Sequence, residues 1–181
     1  MHILVLILSV VIAILVLLLI VGLFLKKEFY IERSIVIHRT KAEVFNYLRF
    51  LKNAEHYNKW TMTDPSMKKT LTGTDGTTGF TYAWDSTDKN VGAGEQVIIQ
   101  LQENERIDYE LRFERPFKNV SYTSLILSSP ATDQTTVSWT FHGKMNYPFN
   151  LLHAFLNLSK VLGKDLEKSL TNLKNLLEKK K

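Results

Sequence analysis

The chain has 181 residues, no cysteine and a formal net charge of +5. That length accommodates one ordinary domain with an appendage. The missing cysteines exclude disulfide and thiolate chemistry, and so small a basic excess does not indicate a nucleic-acid binder.

Ile3 to Leu25 contains only apolar residues apart from Ser9 and Gly22. A helix of that length reaches roughly 34 Å, enough to cross a hydrocarbon core of about 30 Å. A cleaved signal peptide would need a basic start, a shorter apolar run and a small-residue cleavage site. Only Met1 and His2 precede this run and no A-x-A pattern follows it, so it reads as an uncleaved transmembrane anchor. Lys26, Lys27, Arg33, Arg39 and Lys41 follow the anchor, and no Lys or Arg precedes it. The positive-inside rule therefore places the rest of the chain in the cytoplasm. The expected organisation is an anchor over 1–25 and a single domain over 26–181.

"YIERSIVIH" (Tyr30 to His38) predicts a strand. Thr40 and Glu43 in "TKAE" form a capping box at a helix start. Val44, Tyr47, Leu48 and Leu51 then recur at helical spacing. A second short helix is expected over Asn53 to Lys59, and Asp64-Pro65 breaks it. From there to Met145 the period is two. Phe80, Tyr82 and Trp84 share a face, as do Val97, Ile99 and Leu101. So do Ile107, Tyr109, Leu111 and Phe113, and likewise Val137, Trp139 and Phe141. "NVSYTSLIL" is a further strand. Turns rich in Gly, Asp and Asn separate these runs, the pattern of an antiparallel sheet with one buried face. After Pro148 the helical period returns: Leu152, Phe155, Leu158, Leu162, Leu166, Leu170, Leu173 and Leu177 form one stripe. Gly163 interrupts it at a cost of about 1 kcal/mol, with a possible kink. The "EKKK" end reads as a solvated tail, although lipid headgroups could attract it.

The order of elements resembles the helix-grip fold of the START-like, or SRPBCC, superfamily. "YIERSIVIHRTKAEVFNYL", "KWTMTDPSMK", "GTDGTTGFTYAWDS", "VGAGEQVIIQ" and "LGKDLEKSLTNLKNLLE" are similar, in order, to landmarks of its polyketide cyclase-type, membrane-anchored bacterial members. The resemblance implies an α+β architecture: a curved antiparallel sheet around a long C-terminal helix, preceded here by one transmembrane helix. It also implies an apolar cavity. Members bind lipids, sterols, polyketides or hormones, and some are enzymes, so the fold does not fix the function.

The residues themselves show little catalytic equipment. The five histidines have no metal-ligand spacing, and no G-x-S-x-G or Walker loop is present. No metal, cofactor or catalytic set is expected. His56, Tyr57, Asp64, Tyr82, Asp85 and Tyr109 are conceivable single acid–base residues. The stretch "HYNKW" reads as the lip of a container, with Trp60 turned inward. Trp60, Tyr82, Trp84, Tyr109, Tyr122 and Trp139 are the expected ligand-binding residues. Each could equally be ordinary core. The leading expectation is a membrane-anchored binding module for a hydrophobic small molecule or lipid. Its alternatives are a cyclase- or dehydratase-type enzyme using one acid–base residue, or an interaction domain like the superfamily's chaperone activators.

Overall fold

A computed structural model describes residues 2–151 and 157–179. Leu152, Phe155 and His153, together with Lys180 and Lys181 of the basic tail, lie outside the described residues.

Helix α1 (His2–Phe24) carries no charge, and none of its most apolar stretch is buried in the rest of the protein. It is long and apolar enough to cross a membrane. Its C-terminal end is fastened to the body. The Asn150 side-chain amide donates to the Gly22 carbonyl (2.6 Å) and to that of Leu25 (3.3 Å). These are carbonyls that a helix end leaves without partners.

Seven antiparallel strands form one sheet: β1 (Glu28–Ile37), β2 (Lys68–Thr72), β3 (Thr81–Asp85), β4 (Ala93–Gln102), β5 (Arg106–Arg115), β6 (Asn119–Ala131) and β7 (Gln134–Lys144). Their order is β1-β7-β6-β5-β4-β3-β2. The long crossover from β1 to β2 carries α2 (Lys41–Leu48), a 3-10 helix (Leu51–His56) and α3 (Lys59–Thr63). The capping box forms as read: Thr40 Oγ1 accepts from Glu43 N, and Glu43 Oε2 accepts from Thr40 N. The second helix differs from expectation, because it breaks at Asn58 into two short pieces. Asn58 has extended dihedrals, and its side chain accepts from Trp60 N (2.9 Å). Asparagine competes with the helix for backbone donors, so it starts a new helix here instead of continuing the old one.

The faces of β3, β5 and β7 follow the predicted alternation. In β4 they do not. A register shift between Ile98 and Gln100 inserts an extra residue, so Ile98 is fully buried while Ile99 is 41% exposed. Val97 pairs with Glu110 on the outer face, and Leu101 returns to the inner one. A bulge is invisible to a strict period of two.

Helix α4 (Leu158–Lys179) lies in the grip of the sheet. Leu166, Leu170 and Leu173 are at most 1% exposed, and Leu177 is buried. The helix does not run unbroken from Pro148, because Asn157 stands in a left-handed turn (φ 45°) just before it. Gly163 does not end α4, which is helical from Leu158 to Lys179. The Arg33 guanidinium occupies the space a side chain would need, 2.4 Å from where a Cβ would sit. From there Arg33 pairs with Glu167 (2.5 Å). The glycine therefore makes room for a link between β1 and α4.

Candidate functional site

Between the inner face of the sheet, the α3 region and α4 lies a cavity of about 240 Å³. Four of the six expected ligand-binding residues, Trp60, Tyr82, Trp84 and Trp139, line it. Tyr109 is buried but sits behind the wall, its hydroxyl 3.5 Å from the Leu48 carbonyl. Tyr122 is a correction. It is 47% exposed and pairs with the exposed His142 on the outer face. "NVSYTSLIL" has apolar residues on both faces, and pairing decides between them. Thr123, Leu125 and Leu127 stand opposite Phe141, Trp139 and Val137, so the odd positions turn inward.

The aromatic walls have their polar ends tied back. Tyr82 donates to Glu55 Oε1 (2.9 Å), whose other oxygen accepts from Lys69 (2.8 Å). Burial raises the Tyr82 hydroxyl pKa, and the Glu55 hydrogen bond adds to the rise. Burial also pushes Glu55 up, but its bonds from Lys69 and Tyr82 outweigh this and leave it below the usual range. Trp139 Nε1 donates to Thr123 Oγ1 (2.8 Å), and that hydroxyl donates to the Thr140 carbonyl (2.6 Å). Trp84 Nε1 reaches the Val91 carbonyl at 3.3 Å.

Gln96 stands on β4 opposite Tyr82 and lines the cavity. Its side-chain amide makes no hydrogen bond within the described residues. Sequence reasoning missed it, because a glutamine amid alternating residues carries no sign of which face it takes. Thr123 was missed with the register of β6. Leu111, Phe113 and Phe141 also line the cavity and were on the correctly read faces.

The other acid–base candidates are elsewhere. His56 is exposed, and Asp85 is exposed and paired with Arg115, so neither lines the cavity. Asp64 is a turn residue. Its carboxylate accepts from Ser86 Oγ (2.5 Å) and Ser66 Oγ (2.7 Å), and these bonds hold it below the usual range. Tyr57 is buried in T-shaped contact with Trp139, with its hydroxyl pKa raised first by burial. Among the described residues, no three His, Cys, Asp or Glu gather where they could hold a metal.

A second chamber of about 210 Å³ adjoins the first. Phe113, Pro116, Phe141 and Leu162 line both.

A curved antiparallel sheet closed on a C-terminal helix around an apolar cavity defines a helix-grip domain. The comparisons agree with this class. Residues 28–178 match the family described as polyketide cyclase / dehydrase and lipid transport, and the chain belongs to that family. Among solved structures, norcoclaurine synthase from Thalictrum flavum superposes with a TM-score of 0.65 at 9% identity, over 88% of this chain and 92% of that one. A Thermobifida fusca protein solved by NMR gives 0.62 at 17% identity, over 82% and 92%. The Aha1 dimer from Colwellia psychrerythraea gives 0.57 at 16%, over 84% and 98%. Likeness at such identity establishes the fold alone. No curated protein matches the chain.

Proposed function

We propose that the protein is a membrane-anchored module that takes an apolar small molecule or a lipid chain into its cavity. The observation that carries this reading is the wall chemistry. Tyr82, Trp84 and Trp139 line the cavity while their polar atoms are engaged by protein partners, and the Gln96 amide, which has no such partner among the described residues, is placed to meet one polar group of the ligand. Ligand sites have this composition: mostly apolar, with a few placed polar groups. α1 would hold the domain at a bilayer, where apolar ligands concentrate, with residues 26–181 on the cytoplasmic side. Mass spectrometry of lipids co-purifying with the 26–181 fragment tests the binding. One apolar ligand per fragment is expected. A fragment that neither carries nor takes up a dansyl-labelled fatty acid would refute it. Alkaline phosphatase fused after Lys181 should be inactive, and activity would put the domain on the other side.

A second reading rests on the Tyr82–Glu55–Lys69 chain. Tyr82 could act as a hydrogen-bond donor or general acid toward a cavity-bound substrate, as in an enzyme that uses one acid–base residue. Its raised pKa suits an acid better than a base. Tyr82→Phe that abolishes a turnover while keeping ligand binding would favour this reading over pure binding.

A further inference from the structure

We infer that the open side of the second chamber is a docking rim that sits on the surface of an anionic bilayer, so that the cavity is loaded from the membrane. The inference rests on α1 spanning that bilayer.

The anchor delivers its end to this rim. Lys27, three residues past α1, accepts through its carbonyl from Met145 N (2.7 Å), and Met145 lines the second chamber. Phe29, on the same chamber wall, lies only five residues beyond Phe24. Asn150 clamps the α1 carbonyls, and Leu151 packs on Gly22 so closely that a Cβ there would meet it at 3.0 Å. The body is therefore not a free head on a tether. The second chamber is held beside the point where the chain leaves the hydrocarbon.

The rim also has the side chains that such a surface selects. Phe117 and Phe149 are 50% and 44% exposed although their rings lie 4.8 Å apart, and Tyr147, close to Phe149 in sequence, is 38% exposed. Tyr30 and Tyr122 flank His142 on the outer strand faces at the same end of the sheet. Tyr rings concentrate at headgroup level, and exposed Phe rings serve as the apolar contacts of interfacial segments. Lys118 and Lys144 line the same chamber, and Lys26 and Lys27 lie in the exposed segment that joins α1 to β1. Lys118 is met by Glu114 (3.3 Å), and Glu28 lies 3.8 Å from His142. Lys26, Lys27 and Lys144 have no carboxylate partner among the described residues, which leaves them for anionic headgroups. A protein partner would also accept exposed rings and lysines. What favours the bilayer is continuity: the patch begins where the candidate span ends. The opposite end of the sheet, at the β6–β7 hairpin with Asp133, lies roughly 30 Å away by strand rise.

The chain has no cysteine, so single labels are available without background. The test uses full-length F117C, K118C and D133C, each carrying an environment-sensitive fluorophore. They are reconstituted in vesicles of equal parts phosphatidylcholine and phosphatidylglycerol that contain nitroxide-labelled lipid. Lys118 is highly exposed, so its variant keeps the test usable if the Phe117 variant misfolds. Strong quenching at positions 117 and 118, with none at 133, is expected. Replacing phosphatidylglycerol with phosphatidylcholine should reduce that quenching several-fold. Protein that floats with the vesicles but shows no more quenching at 117 and 118 than at 133 overturns the rim while leaving the anchor intact. Equal quenching in the two lipid mixtures overturns the anionic preference. Protein that does not float with vesicles overturns the anchor and the rim together.

Discussion

Trp139 tests whether the cavity wall is built as described. The side chain is 6% exposed, meets the Tyr57 ring edge-on at 6.1 Å between centroids, and donates to Thr123. Truncating a packed tryptophan to alanine costs about 3–5 kcal/mol. The ring also lines the cavity, where it has fewer protein dispersion contacts to lose. The expected loss for Trp139→Ala is therefore about 3 kcal/mol, the low end of that range. Trp139→Phe separates packing from hydrogen bonding. It removes the indole N–H, but Thr123 keeps the bond it donates to Thr140, so no buried donor is orphaned. That variant should lose about 1 kcal/mol. With a urea dependence of about 2 kcal/mol per molar, the midpoints of the 26–181 fragment should fall by about 1.5 M and 0.5 M. An alanine variant within about 1 kcal/mol of the parent would mean that Trp139 is not part of a packed wall. Equal losses in the two variants would refute the account of the hydrogen bond.

Leu166→Asp should prevent folding of the same fragment, because it places an unpaired charge at a position 1% exposed; a native circular-dichroism spectrum would contradict the packing of α4. Gly163→Ala should gain less than the usual ~1 kcal/mol for a helical glycine, and should recover that gain in an Arg33→Ala background; equal gains in both, by thermal unfolding, would remove Arg33 as the reason for the glycine. Glu178, held low first by the His38 backbone N–H, and Glu55 both have lowered pKa values in the folded state. The stability they contribute is present above about pH 4.5 and is lost as pH falls through those lowered values, so the urea midpoint should drop below that pH; Glu55→Gln should flatten the drop. Gln96→Leu should weaken binding of a dansyl-labelled fatty acid while leaving an uncharged hydrocarbon probe unaffected; equal effects on both would deny Gln96 its polar role.

Much of the architecture was legible because it rests on period and capping. Thr40 with Glu43, the alternation of Arg106–Arg115 and the leucine ladder of α4 each follow from local physics, and the structure contains them all. What was not legible depended on pairing between distant strands. Tyr122 and Thr123 exchange faces only because β6 is registered against Trp139 and Phe141. The Ile98–Gln100 shift reverses Val97 and Ile99 with no mark in the residues themselves. Gln96 was invisible for a related reason: it reaches the cavity because the β4 bulge places it, with Ile98, on the inner face beside Tyr82. That fact exists only in three dimensions.

The same tethers explain how an apolar cavity can persist in a domain of this size. Aromatic side chains that line a cavity have fewer protein dispersion partners there, and close-packed interiors tend to eliminate such gaps. Collapse here would require Tyr82, Trp84 and Trp139 to swing inward. Each would have to leave Glu55, the Val91 carbonyl or Thr123, and a buried polar atom released without a new partner costs about 1–3 kcal/mol. Those losses oppose the gain from closing the gap. The three side chains are thus held in the cavity wall by the bonds that their polar atoms make.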